Sequence, residues 1–83
     1  MEQFELKGLP VKATKWKFVN TCIEGLLNNN IIFFDEKRGY YVVNSLFERI
    51  HLKQGDYIIR EADGIHHFTI PGQYFEKLFK ANS

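Results

Sequence analysis

Between residues 31 and 70 the apolar residues come in runs too short for a helix, separated by clusters that favour turns. The order is IIFFD, EKRG, YYVVNS, LFERIHLK, KQGD, YIIREA, DG and IHHFTI. Short β-branched and aromatic runs bounded by Gly, Asn and Asp read as strands. Connections this short can join antiparallel neighbours but cannot make the long crossover of a parallel pair. The clearest turn is Ala62-Asp63-Gly64, because Asp-Gly supports the positive φ of a tight hairpin. It is expected to pair YIIREA with IHHFTI. A second turn is centred near Lys37–Gly39, and a third is Lys53-Gln54-Gly55-Asp56. LFERIHLK reads as a strand, with Leu46, Glu48, Ile50 and Leu52 on one face and Phe47, Arg49 and His51 on the other.

Outside this block the pattern changes. PVKATKWKFV, residues 10–19, alternates apolar and polar positions and reads as a strand. Trp16 and Phe18 then fall on the face opposite Val11 and Ala13, so the strand is expected to be covered on both sides. In 20-NTCIEGLLNNN-30, Cys22, Ile23, Leu26 and Leu27 form one apolar helical stripe. Thr21 and Glu24 have capping-box spacing, and the asparagines suit a helix end. Gly25 weakens this helix by up to ~1 kcal/mol relative to Ala. After Pro71, which suits a helix start, GQYFEKLFKA places Tyr74, Phe75, Leu78 and Phe79 on a second stripe. The expected fold is α+β: an antiparallel sheet of about five or six strands with two short helices, about 21–28 and 72–80. Trp16, Ile58 and Phe75 are the expected core.

Eighty-three residues make one domain, spanning 1–83. A chain of this size buries only about 60–65% of its unfolded surface, so the core depends on a few large groups. Eight Phe, four Tyr and one Trp provide them. So aromatic a surface also makes a homo-oligomer a reasonable expectation. Eleven basic and ten acidic residues are spread without blocks, which removes a generic polyanion-binding tail. A single cysteine, Cys22, leaves no intramolecular disulfide and favours a reducing compartment. MEQFELKGLP does not read as a secretory signal, and no apolar run approaches the roughly 18 residues of a membrane span.

The adjacent His66 and His67 invite a metal or acid–base reading. Successive strand residues point to opposite faces, however, so the two cannot ligate one ion. One is expected near solvent and the other near the packed face. His51 adds at most one further ligand, so no metal and no cofactor are expected. Asp56 and Asp63 are accounted for by their turns. No phosphate loop, nucleophile elbow or paired catalytic carboxylates are visible, so no catalytic residue is assigned. Lys12, Lys15 and Lys17 interleave with Trp16 and, with Arg60, form a candidate nucleic-acid or nucleotide surface. Charged residues that protect a sheet edge explain the lysines equally well. The second helical stripe is richer than one packing contact requires, which makes Tyr74 and Phe79 candidate interface residues. Tyr41, opposite in facing to Tyr40, is a third.

The pieces Val11-x-Ala13-x-x-Trp16, the capped helix, Gly55-Asp56-Tyr57-Ile58-Ile59-Arg60, Gly64, Pro71 and Phe75-Glu76 occur in an order that resembles the PGDYG-like proteins. These are small proteins of tailed phages and prophages built around a Pro-Gly-Asp-Tyr/Trp motif. The resemblance covers about residues 10–80. It departs at Gln54, where the family has proline, at Ile65, where an acidic residue is common, and in lacking the cysteine before Pro71. The resemblance implies a phage accessory protein in the host bacterial cytoplasm and carries over no catalytic residue. The expected function is that of a non-enzymatic, stoichiometric binding module, acting in counter-defence by sequestering a small ligand or inhibiting a host protein. The alternatives are a nucleic-acid or nucleotide binder and a minor virion or assembly component.

Overall fold

The computed structural model describes residues 2–6, 9–78 and 80–81, with side chains over 11–78. The elements are β1 (Glu2–Leu6), β2 (Leu9–Lys15), α1 (Asn20–Asn28), β3 (Phe33–Asp35), β4 (Gly39–Val43), β5 (Arg49–His51), β6 (Tyr57–Arg60), β7 (His67–Ile70), α2 (Gly72–Leu78) and β8 (Lys80–Ala81). The fold is α+β, with antiparallel strands and two short helices. Six strands form two three-stranded sheets, β7-β6-β2 and β3-β4-β5, and β1 and β8 extend the first beyond β2. The strands thus divide between two sheets, because β5 returns to β4 while β6 pairs with β2. Strand periodicity identifies the elements but not their partners.

The first sheet is covered on both faces. One face bears Trp16 and Ile58 against Leu26 of α1 and Val42 and Leu52 of the second sheet's side. The other bears Ala13 and Ile59 against Phe75 of α2. Trp16, Ile58 and Phe75 are all buried. Tyr57 stacks on Phe75 with centroids 3.9 Å apart, fastening α2 to β6. β2 stops at Lys15, and Trp16 instead binds the turn before β6, its N–H donating to the Asp56 carbonyl at 2.6 Å. The Asp56 carboxylate accepts the Lys53 N–H at 3.0 Å, so this aspartate closes its own turn.

α1 begins at Asn20 with Val19 at the cap and no side-chain cap bond. The Thr21–Glu24 capping box therefore does not form, since Thr21 is already inside the first turn. The other end follows expectation. Asn30 takes φ 58°, and the Asn30 and Ile31 N–H groups donate to the Leu27 and Leu26 carbonyls at 3.1 and 2.9 Å. That is a Schellman closure, with Ile31 and Leu26 buried together. α2 runs from Gly72 with Pro71 accepting from the Tyr74 and Phe75 N–H groups. It buries Phe75 but leaves Leu78 55% exposed, so Phe75 is the side chain that seats this helix.

Residues 44–48 are a turn, not the start of a strand. The Asn44 side-chain oxygen accepts the N–H groups of Leu46 and Glu48 at 3.0 and 2.9 Å, and the Phe47 N–H donates to the Asn44 carbonyl. An asparagine that satisfies two following amides competes directly with a sheet ladder. Leu46 and Phe47 are left outside, 76% and 79% exposed.

A cavity beside His67 and an exposed apolar tip

The Asp-Gly hairpin fixes the chemistry around it. Arg60 faces His67 across the β6–β7 pair, while Asp63 organises the loop between them. The Asp63 carboxylate accepts the Ile65 and His66 N–H groups, each at 2.9 Å, and meets His66 Nδ1 at 2.5 Å. The hydrogen bond from the His66 side chain, followed by the two backbone bonds, holds the Asp63 carboxyl down at about 2. His66 is thus half-buried on the loop side, with its ring edge-on to Phe47 at 5.4 Å. His67 lies on the packed side, 4% exposed. The two histidines diverge, and no cluster of three or more His, Cys, Asp or Glu side chains that could hold a metal comes together among the described residues.

His67 is the unusual group. Its Nε2 is buried and has no partner among the described residues, which costs about 1–3 kcal/mol. Burial, and secondarily the positive charge of Arg60, lowers its pKa from the ordinary imidazole value. The ring is therefore neutral at neutral pH. In the unfolded chain it takes up a proton near about pH 6.5, so below that value the unfolded state binds more protons than the folded one. Stability is expected to be full above that pH and to fall as pH drops towards the folded pKa. Urea midpoints at pH 7.5 and 5.5 check this, and the fall should be smaller in His67→Phe. The corresponding loss for Asp63 begins lower, at about 3.9, and runs down towards its folded value.

His67 lines a cavity of about 640 Å³ between α1 and the β2–β6–β7 sheet. Thr14 and Arg60 contribute from the sheet, Thr21, Cys22 and Asn29 from α1, and Ile65 from the hairpin. Arg60 is exposed. The Cys22 thiol donates to the Lys15 carbonyl at 3.9 Å, and the Asn29 amide donates to the Gly25 carbonyl at 2.7 Å. A second cavity of about 330 Å³ adjoins it, lined by Phe33 and Val43 and sharing Asn30, Ile31, Ile65 and His67 with the first. The larger has a mixed polar and apolar lining, and the smaller is mostly apolar.

The other sequence candidates do not assemble into one site. Trp16 is fully buried, so stacking a base on it requires opening the core. Lys15 pairs with Glu76 of α2 at 3.7 Å, whereas Lys12, three positions earlier in the same strand, is on the opposite face. Lys17 is exposed, beyond the end of β2. Tyr74 is 54% exposed on α2. Tyr41 is half-buried in the second sheet, between Phe33 and His51 at 5.6 Å each, with the Arg49 guanidinium 4.9 Å from its ring. Phe79 lies outside the described residues. The groups that sequence reasoning missed as a set are Thr14, Thr21 and His67. The Arg60–His67 pairing follows from the Asp-Gly turn, but α1's approach to it has no local signal.

A second surface feature is the apolar tip formed by Leu46, Phe47 and Ile65, each more than 70% exposed. Phe47 has φ 62°, a left-handed conformation that costs a bulky residue on the order of 1–2 kcal/mol. The turn is anchored by the Ser45 N–H and hydroxyl, which donate to the Glu61 carboxylate at 2.7 and 2.8 Å. Phe47→Asn is expected to raise stability by about 1 kcal/mol, because asparagine accepts this backbone; a denaturant midpoint checks it. Comparisons with protein-family models, curated proteins and solved structures found no match. No helix among the described residues is long and apolar enough to cross a membrane.

Proposed function

We propose that this protein is a non-catalytic, stoichiometric binding module that holds a small molecule in the cavity between α1 and the β2–β6–β7 sheet. The observation that carries the reading is His67: a buried imidazole with an unpartnered nitrogen, in the wall of a concavity of the size that ligands occupy. A ligand oxygen that reaches Nε2 as the ring turns towards the cavity would supply the partner it lacks among the described residues. The polar groups around it favour binding over turnover, since among the described residues no carboxylate lines the cavity and the Cys22 thiol is directed to a backbone carbonyl. The resemblance to phage accessory proteins gives such binding a purpose, sequestration of a small molecule in the host cytoplasm as counter-defence.

Native mass spectrometry tests this. After incubation with an undesalted bacterial lysate, the protein is expected to gain a few-hundred-dalton mass (about the size such a cavity admits). Desalted lysate should give no gain. Gly25→Leu should abolish the gain, because Gly25 lines the cavity and has open space around it. Turnover of a substrate by substoichiometric protein would sink the proposal. A second reading, inhibition of a host protein, is favoured by the apolar tip, where a strained backbone keeps Phe47 outside. The nucleic-acid reading has less support, since Lys12 and Lys15 do not share a face of β2.

A further inference from the structure

We propose that the paired cavities take an amphiphilic organic anion, its phosphate or carboxylate at Arg60 and His67 and its compact apolar body between Phe33, Val43 and Ile65. The inference rests on the ligand-binding reading above and adds the chemistry of the ligand. Charge is the first argument. Among the described residues Arg60 is the formally charged side chain lining the larger cavity, and no described Asp or Glu lines it. The two acids nearby in sequence are engaged elsewhere, Glu61 with Ser45 and Asp63 with its own loop and His66. Among the described residues Arg60 makes no ion pair. Its planar guanidinium, exposed at the wall of a concave surface, suits the two oxygens of a carboxylate or phosphate.

Geometry is the second argument. Arg60 and His67 are direct partners across β6 and β7, so sheet register, not a mobile loop, sets their spacing. A neutral imidazole presents Nε2 as donor or acceptor according to tautomer: the Nε2–H form donates to an ionised oxygen, and the other form accepts from the P–OH of a singly protonated phosphate. Thr14 and Thr21 add neutral hydroxyls on two sides of the same space. The third argument is continuity. The larger and smaller cavities share the wall formed by Asn30, Ile31, Ile65 and His67. A ligand held by its charged end at Arg60 and His67 therefore finds apolar surface next to it, and not open solvent.

The test uses phenyl phosphate, benzoate and neutral benzyl alcohol as probes, titrated into the full chain and followed by ¹H–¹⁵N NMR and calorimetry. At least one of the two anions is expected to shift Thr14, Arg60 and His67 and to bind about tenfold or more tightly than benzyl alcohol, the equivalent of one charge-assisted hydrogen bond. Arg60→Gln, a change at an exposed side chain, should reduce that affinity by a similar factor with an otherwise unaltered spectrum. If benzyl alcohol binds the same residues as tightly as the anions, or Arg60→Gln changes nothing, the anionic class is wrong while the cavity remains a ligand site. If the shifts spread over the surface lysines and persist in Gly25→Leu, the cavity reading fails as well.

Discussion

Trp16→Ala is expected to bring the thermal midpoint down by on the order of 20 °C, through loss of about 3–5 kcal/mol of stability. Trp16 is the largest of the fully buried side chains. It packs edge-on to Phe18 at 5.0 Å and against Tyr40 at 5.5 Å, so it joins the first sheet to β4 of the second. A domain of this length has roughly 4–12 kcal/mol in all, so the variant is expected to be partly unfolded at ordinary temperatures. Trp16→Phe separates volume from polarity. It opens a smaller void, and it also removes an indole N–H that is buried without a partner among the described residues, a group that itself costs about 1–3 kcal/mol. The phenylalanine variant should therefore lose only about 1 kcal/mol, well under the cost of an equivalent void alone. Equal losses in the two variants would mean that a phenyl ring does not replace the indole in joining the two sheets.

The same tryptophan marks how far local sequence reasoning reaches. Alternation in β2 put Trp16 opposite Ala13, and the two do belong to different core clusters. The Asp63-Gly64 hairpin, the divergence of His66 and His67 and the asparagine end of α1 were likewise legible, because each depends on the conformational preference of a few adjacent residues. Leu46 to Glu48 misled for the converse reason. Its alternation fits a strand, but Asn44 offers its side chain to two amides in that stretch, and this local competitor wins. The division into two sheets was not legible, since period-two patterning assigns faces and says nothing of which edge a strand joins. The cavity is less legible still. Arg60 and His67 meet through hairpin register, but Thr21 and Cys22 arrive on a helix whose position depends on Leu26, Ile31 and Trp16 packing together. A site assembled across such a contact has no spacing rule in the chain.

A glycine gives the second large effect, and its location shows why α2 sits where it does. Gly72→Ala is expected to cost about 2–3 kcal/mol, because an added Cβ falls 2.4 Å from the Gly55 carbonyl oxygen. That neighbour is backbone and cannot swing aside. Gly55 itself has φ 88°, and the turn it occupies is tied on one side to Trp16 and on the other to the Asp56 carboxylate. Relief of the clash must then come from moving α2, which lifts Phe75 from its stack on Tyr57. The contrast is Gly25, where nothing lies within 4 Å of a built Cβ and the residue is inside α1. Gly25→Ala should stabilise the chain by up to ~1 kcal/mol through helix propensity. Chemical denaturation of the two variants decides the point, since the same one-carbon addition moves the midpoint in opposite directions. If Gly72→Ala is neutral, then the 55–56 turn yields, and the close seating of α2 against it is not what keeps Phe75 buried.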